Sequence, residues 1–185
     1  MDSLQGKLLL AAPALVDPNF ARSVVLIVRH DEQGAMGLVL NRPTGVKVRE
    51  AVVPDGGWSC TTEAELLRGG PCDGPLMVLH NHAQLAQETV LAGVYFTVDS
   101  DLVKELLSQE VDEARFFHGY AGWAAGQLEG ELAAGGWVVM DATEQIVFQP
   151  DMDTETWAAL LKQHNRDELK SRINPNLIPP DPSVN

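Results

Sequence analysis

The residues of this chain best suited to chemistry sit at the ends of apolar runs. Arg22 precedes Ser23-Val24-Val25-Leu26-Ile27-Val28, and Arg42 follows Ala35 to Leu40, with Asn19 and Asn41 close by in sequence. Two guanidinium forks with amide donors beside them would suit a carboxylate or phosphate. The competing use is architectural, because Asn and Asp near proline, as in Asp17-Pro18-Asn19 and Asn41-Arg42-Pro43, often satisfy their own backbone. Both uses stay open, since a rigid loop also makes a better site. A second group is Phe116-Phe117-His118-Gly119-Tyr120-Ala121-Gly122-Trp123. Its glycines permit a bend from strand to helix, and the backbone N–H groups opening a helix at Gln127 would suit an anion. Tyr120 and Trp123 could line a cleft or stack on a base or sugar, or they could plug the core. The candidate ligand-binding residues are therefore Asn19, Arg22, Asn41, Arg42, Tyr120 and Trp123.

Catalytic devices are harder to find. His80-Asn81-His82 puts two imidazoles on one side of a strand, but a third metal ligand would have to come from His118, His30 or a distant carboxylate. Without a companion Cys or acidic motif, the expectation is no metal and no cofactor. His80 and His118 are instead expected to end strands, half-buried, with one ring nitrogen bonded to backbone. Ser23, Ser59, Cys60 and Cys72 are the available nucleophiles, and none lies in a G-x-S-x-G elbow or has a readable base. Glu129 and Glu131, two apart on a helix, face different directions. Gly69-Gly70-Pro71 lacks the lysine and hydroxyl of a phosphate loop and reads as a bend. No catalytic residue is assigned, and the chain leans away from an enzyme.

Composition narrows the setting. A length of 185 residues suits one domain, expected over 1–165, with a Pro-rich tail over 166–185 that is extended or disordered. The net charge is −13. Acidity is concentrated behind residue 70: residues 1–70 hold seven basic and eight acidic groups, and residues 71–185 hold six and eighteen. Such a chain is a poor general binder of nucleic acid, which is held by Lys and Arg. Arg22, Arg29, Arg42, Lys47, Arg49 and Arg68 could form a local basic patch, but acids intervene and no helix gathers them. Two cysteines without zinc spacing fit a reducing cytoplasm. The apolar run Leu8 to Val16 is broken by Pro13 and reads as a buried strand rather than a leader, and no apolar stretch approaches the ~20 residues of a membrane helix.

The elements that must position these residues follow from periodicity and punctuation. Strands are expected at Lys7–Ala12, Ser23–Val28, Ala35–Leu40, Pro75–His80, Ala92–Val98, Ala114–His118 and Trp137–Met140, with a further short one at 145–148. The second and third form a hairpin through His30-Asp31-Glu32-Gln33-Gly34, which brings Arg22 and Ser23 near Asn41 and Arg42. Short helices are expected around Val48–Val53 and, as helix or strand, over Glu63–Arg68, with a loop at 54–57. Longer ones run from Asp99 or Ser100 to Ser108, over Gln127–Ala134, and from Asp153 through Lys162. Hairpins with segregated helices indicate α+β.

Gly6-Lys7-Leu8-Leu9-Leu10-Ala11-Ala12-Pro13, Asp17–Ser23, Gly34–Pro43, Gly69-Gly70-Pro71, Phe117–Trp123 and Gly126-Gln127-Leu128-Glu129 with Glu131-Leu132 together resemble the bacterial YqgE/AlgH family, UPF0301, over residues 4 to 162. The resemblance implies a cytosolic α+β protein whose strongly bent, mixed and antiparallel sheets form a pseudo-barrel with helices packed outside. It implies no established activity; some members carry the label of transcriptional regulator, which the charge of this chain disfavours. The leading expectation is a non-enzymatic binding or regulatory protein that holds a small anionic ligand or a protein segment. A metal-dependent or nuclease-like hydrolase using His80 or His118 is the alternative. The oligomeric state is left open.

Overall fold

Val24, Leu26 and Val28 of one strand are fully buried on one side of the sheet, and Val25 and Ile27 are as fully buried on the other. An unbroken aliphatic run is stable there because both faces are covered. The computed structural model describes residues 2–52, 58–109, 111 and 113–172. It contains ten strands: β1 (Lys7–Ala11), β2 (Val24–Asp31), β3 (Gly34–Val39), β4 (Pro43–Lys47), β5 (Glu65–Arg68), β6 (Cys72–His80), β7 (Glu88–Leu91), β8 (Val94–Thr97), β9 (Ala114–Ala124) and β10 (Trp137–Asp141). Five helices accompany them: α1 (Val48–Val52), α2 (Ser100–Ser108), α3 (Gln127–Ala133), α4 (Glu144–Val147) and α5 (Thr154–Arg172).

The strands form one curled, half-barrel sheet in the order β10-β1-β2-β3-β9-β6-β8-β7. All pairs on that path are antiparallel, while β5 joins β9 in parallel and carries β4 on its other side. Strand β9 holds the sheet together. Its Phe116 to His118 pair with Leu66 to Arg68 of β5, its Ala121 to Ala124 pair with β3 along the same edge, and β6 runs along the opposite edge. The inner core is enclosed by the curl and contains Leu8, Leu26, Leu38, Leu79, Phe96 and Phe117. Outside it, α3 lies over Val25, Ile27, Trp123 and Trp137, and α2 lies over Val78 and Phe116. Each such fully buried Leu or Phe contributes about 1.5–3 kcal/mol of transfer free energy.

Two chain crossings explain the glycine motifs. A Cβ on Gly69 would lie 2.2 Å from the Gly119 carbonyl oxygen, and one on Gly70, at φ 158°, would lie 2.2 Å from the Tyr120 carbonyl carbon. Only glycine lets these backbones meet. Gly119 itself has φ 73° and shifts the inward alternation of β9, so that Phe117 and Tyr120, three apart, both reach the inner core.

The hairpin of β2 and β3 forms as expected, and Asp99 caps α2 through its carboxylate on the Asp101 and Leu102 amides. Several expectations are corrected. Ala92–Val98 is not one strand, because Ala92 and Gly93, the latter at φ 79°, make the tight turn between β7 and β8. Residues 145–148 are not a strand; the Thr143 hydroxyl accepts from the Ile146 amide and starts α4. Gly119 to Trp123 do not bend the chain into a helix, since β9 continues through them to Ala124. Glu65–Arg68 is a strand. Helix α5, capped by Asp153, runs to Arg172 rather than stopping at Lys162, so residues 166–172 of the expected tail are helical. The loop expected at 54–57 and the tail beyond Arg172 lie outside the described residues.

Candidate functional site

Asp17 to Ser23 form a tight, self-bonded loop. The Asp17 carboxylate accepts from the Asn19 amide, the Asp17 carbonyl from Phe20 and Ala21, and the Phe20 carbonyl from Ser23. Phe20 sits against Trp123 and Trp137, with ring centroids 6.1 and 5.5 Å away. Arg22 adopts φ 58°, and its side chain is exposed with no acceptor among the described residues. Asn41 is 2 % exposed. Its Oδ1 accepts from the Val24 amide at 2.9 Å, and its Nδ2 donates to the Arg22 and Asp153 carbonyls at 2.9 and 3.1 Å. Both amide hydrogens are thus taken, and no donor is left on that side chain for an anion. Arg42 donates to the carbonyls of Ala21 (2.5 Å) and Asn41 (3.3 Å), and burial lowers its pKa.

The expected cleft therefore resolves into parts that do not all meet. Tyr120 packs on the inner core and Trp123 on the outer one, so they do not line one cleft. The Trp123 and Trp137 indoles both donate to Glu131 Oε2, at 3.0 and 2.8 Å. Burial alone would raise the pKa of Glu131, but these donors and Gln127 outweigh it and hold the carboxyl below its ordinary range. The seven-residue α3 opens with Gly126 in the left-handed region, and the Gln127 side chain accepts from the Ala124 amide. Glu129 instead meets His30 Nε2 at 2.9 Å, so the two glutamates do face apart.

What remains at the corner is a small pocket of about 60 Å³ lined by Asn19, Arg42, Arg68, Gly70 and Pro71 among others, with no carboxylate in its wall. Arg68 was foreseen only as part of a diffuse basic patch. Its backbone amide donates to the Arg42 carbonyl at 2.8 Å, which brings the two arginines side by side, and its exposed side chain has no acceptor among the described residues.

The histidines behave differently from one another. His80 ends β6 and is fully buried; Nδ1 accepts from the His82 amide at 3.2 Å and Nε2 lies 2.9 Å from the Thr97 hydroxyl. That hydroxyl donates to the Leu85 carbonyl at 2.6 Å, which makes His80 Nε2 the donor and the ring neutral. Burial, with neighbouring His82 adding to it, pushes the pKa down to about 4. His118 lies within β9, not at its end, and is exposed with no ring contact. It sits opposite Leu76, four rungs of the ladder from the Ala114 that faces His80. Of the proposed nucleophiles, Ser23 is fully buried, and burial raises the Cys60 thiol pKa.

A larger cavity, of about 680 Å³, opens between the β4–β5 ribbon, the start of β9 and the segment 148–153. Arg115 lies in its wall, half-buried, with its pKa lowered by burial to about 10. Its Nη1 donates to the Val147 carbonyl (2.9 Å) and Met152 Sδ (3.0 Å), and its Nη2 to the Leu40 carbonyl (2.8 Å). All three partners are neutral. Sequence reasoning missed this residue; the available signal was a lone arginine beside Phe116 and Phe117 in an apolar strand.

Fold and site together define a curled half-barrel α+β protein with two polar concavities, one on each side of the β4–β5 ribbon: Arg42 and Arg68 face one, Pro43 and Leu67 the other. The family model described as AlgH-like matches residues 8–168. The chain belongs to the AlgH-like family of UPF0301 proteins, whose function is uncharacterised. It is 38 % identical to a UPF0301 protein of Streptomyces avermitilis, over 100 % of this chain and 97 % of that one, and 40 % identical to one of Chlorobium luteolum, over 80 % and 79 %. Among solved structures it is similar to the AlgH protein of Pseudomonas aeruginosa, with a TM-score of 0.73 and 31 % identity over 93 % of this chain and 95 % of that one. A Corynebacterium diphtheriae protein gives a TM-score of 0.69 at 27 % identity, over 88 % and 87 %. Among the described residues, no helix is long and apolar enough to cross a membrane.

Proposed function

We propose that the protein is a non-enzymatic binding protein that holds a small anionic ligand between Asn19, Arg42 and Arg68. The observation that carries this reading is two arginines, Arg42 and Arg68, lining one pocket of about 60 Å³ with no carboxylate in its wall, in a chain of net charge −13. Like charges held close repel, and an oxyanion between them removes the repulsion while accepting several hydrogen bonds. The pocket is the size of one carboxylate or phosphoryl group, so it would hold the charged end of a ligand whose remainder stays outside. Arg22, exposed on the neighbouring loop, adds to the field that attracts such a group. The two free thiols, Cys60 and Cys72, support a cytoplasmic setting.

Isothermal titration of the full chain with inorganic phosphate and with citrate tests the reading. Arg68→Ala is expected to weaken binding at least tenfold with the melting temperature unchanged, because Arg68 supports nothing else through its side chain. Equal affinity in the variant, or no binding by the parent chain, would overturn it. Duplex DNA is expected not to be retained at physiological salt.

A further inference from the structure

The 680 Å³ cavity has a charge pattern opposite in kind to that of the small pocket. Glu65, Glu113, Asp151 and Asp153 all line it, and Arg115 is the lone base. Their exposures differ: Asp151 is exposed, while Glu113 and Arg115 are half-buried. Their engagements differ too. The Asp153 carboxylate is held by the amides of Glu155 and Thr156 as the cap of α5, and Glu65 accepts from the Gly45 amide. Glu113 and Asp151 have no side-chain partner among the described residues. On the guanidinium, Nε–H and one Nη2 hydrogen have no acceptor among the described residues. One arginine and two carboxylates without a side-chain partner among the described residues thus share the wall of one cavity.

We propose that this cavity is a second binding site, and that it takes a small zwitterion whose carboxylate meets Arg115 and whose ammonium meets Glu113 and Asp151. A wholly anionic ligand would satisfy Arg115 but face four carboxylates. A wholly cationic one would satisfy the carboxylates but leave the half-buried guanidinium without a counter-charge, which is costly away from water. Opposite charges at the two ends of one molecule match both. The walls between them, Leu67, Phe148 and Met152, are apolar and suit an aliphatic stem. The volume falls within the range of small-molecule sites and admits ligands from a single amino acid to a short peptide.

Calorimetric titration of the full-length Arg68→Ala chain, in which the anion site of the small pocket is removed, with L-lysine, alanyl-lysine, putrescine and citrate decides the matter. Alanyl-lysine or lysine is expected to bind at least tenfold more tightly than putrescine or citrate. The double variant Glu113→Gln/Asp151→Asn is expected to abolish that preference without changing the melting temperature, and Arg115→Lys, which keeps a charge but not the fork, to weaken zwitterion binding several-fold. The Arg68→Ala change should leave zwitterion binding untouched, so failure at one pocket is distinguishable from failure at the other. Putrescine binding as tightly as alanyl-lysine would show Arg115 to be idle, citrate doing so would show the carboxylates to be idle, and no binding by any of the four would show the cavity to be empty of this function; each overturns the proposal.

Discussion

Asn41 and Arg115 are both enclosed polar side chains that touch main-chain carbonyls, yet they leave opposite remainders. Asn41 donates and accepts until its amide is satisfied, and it ties together the start of β2, Arg22 and the cap of α5. Arg115 ties Leu40 to the 147–152 segment in a similar way, but a guanidinium has more donors than its neighbours accept and carries a charge that none of them balances. A polar group that closes its own accounts is architecture. One that retains a charge beside a cavity is where a ligand has something to add.

The largest effect that sharpens this contrast is expected from Gly70→Ala. Its Cβ would meet the Tyr120 backbone at 2.2 Å, so the variant is expected to lose about 4 kcal/mol or more in urea unfolding, or to fail to fold. Acid comes next. The folded pKa of His80, about 4, lies below the unfolded value near 6.5, so the unfolded chain takes up the proton first. The contribution of His80 is complete above about pH 6.5 and is lost as pH falls toward 4, by on the order of 3 kcal/mol at the end of that window. Comparing urea midpoints of the parent and His80→Asn chains across pH 4–7 checks this, with the gap expected to narrow on acidification. Asn41→Ala is expected to cost about 2 to 3 kcal/mol, since it strands a buried amide and two carbonyls. At the small end, Arg68→Ala and Glu113→Gln/Asp151→Asn are expected to change stability by less than about 0.5 kcal/mol. If those surface changes proved as damaging as Asn41→Ala, the division between engaged and available groups would collapse.

The sequence made the architecture more legible than the site. Strand β2 is evident because its apolar run needs cover on both faces, and α2 because Asp99 stands before an amphipathic stretch. Helix α4 was obscured by its own composition: Ile146, Val147 and Phe148 favour strands, and the Thr143 cap with tertiary burial of Val147 overrides them. Helix α5 was read short because its polar second half has no apolar stripe, although Glu168, Leu169 and Lys170 are good helix formers. Of the residues lining the small pocket, Arg42 and Asn19 are singled out in the sequence by their place beside apolar strands. Arg68 has no local feature that sets it apart, and the one signal for Arg115, its place beside Phe116 and Phe117, does not say what it faces; the neighbours of both come from what the sheet lays next to them. Tyr120 and Trp123 were joined wrongly because the chain was expected to bend at Gly119, where it continues as a strand.

Strand β9, held by three neighbours, also determines how the molecule comes apart. Its amides and carbonyls are shared with β3 and β5 on one edge and β6 on the other, so no half of the sheet can detach with its hydrogen bonds intact. The backbone amides of Phe116 to His118, paired on both edges, are therefore expected to exchange their protons with solvent only when the whole sheet opens, and the N-terminal hairpin must await a strand more than seventy residues downstream before its outer edge is paired.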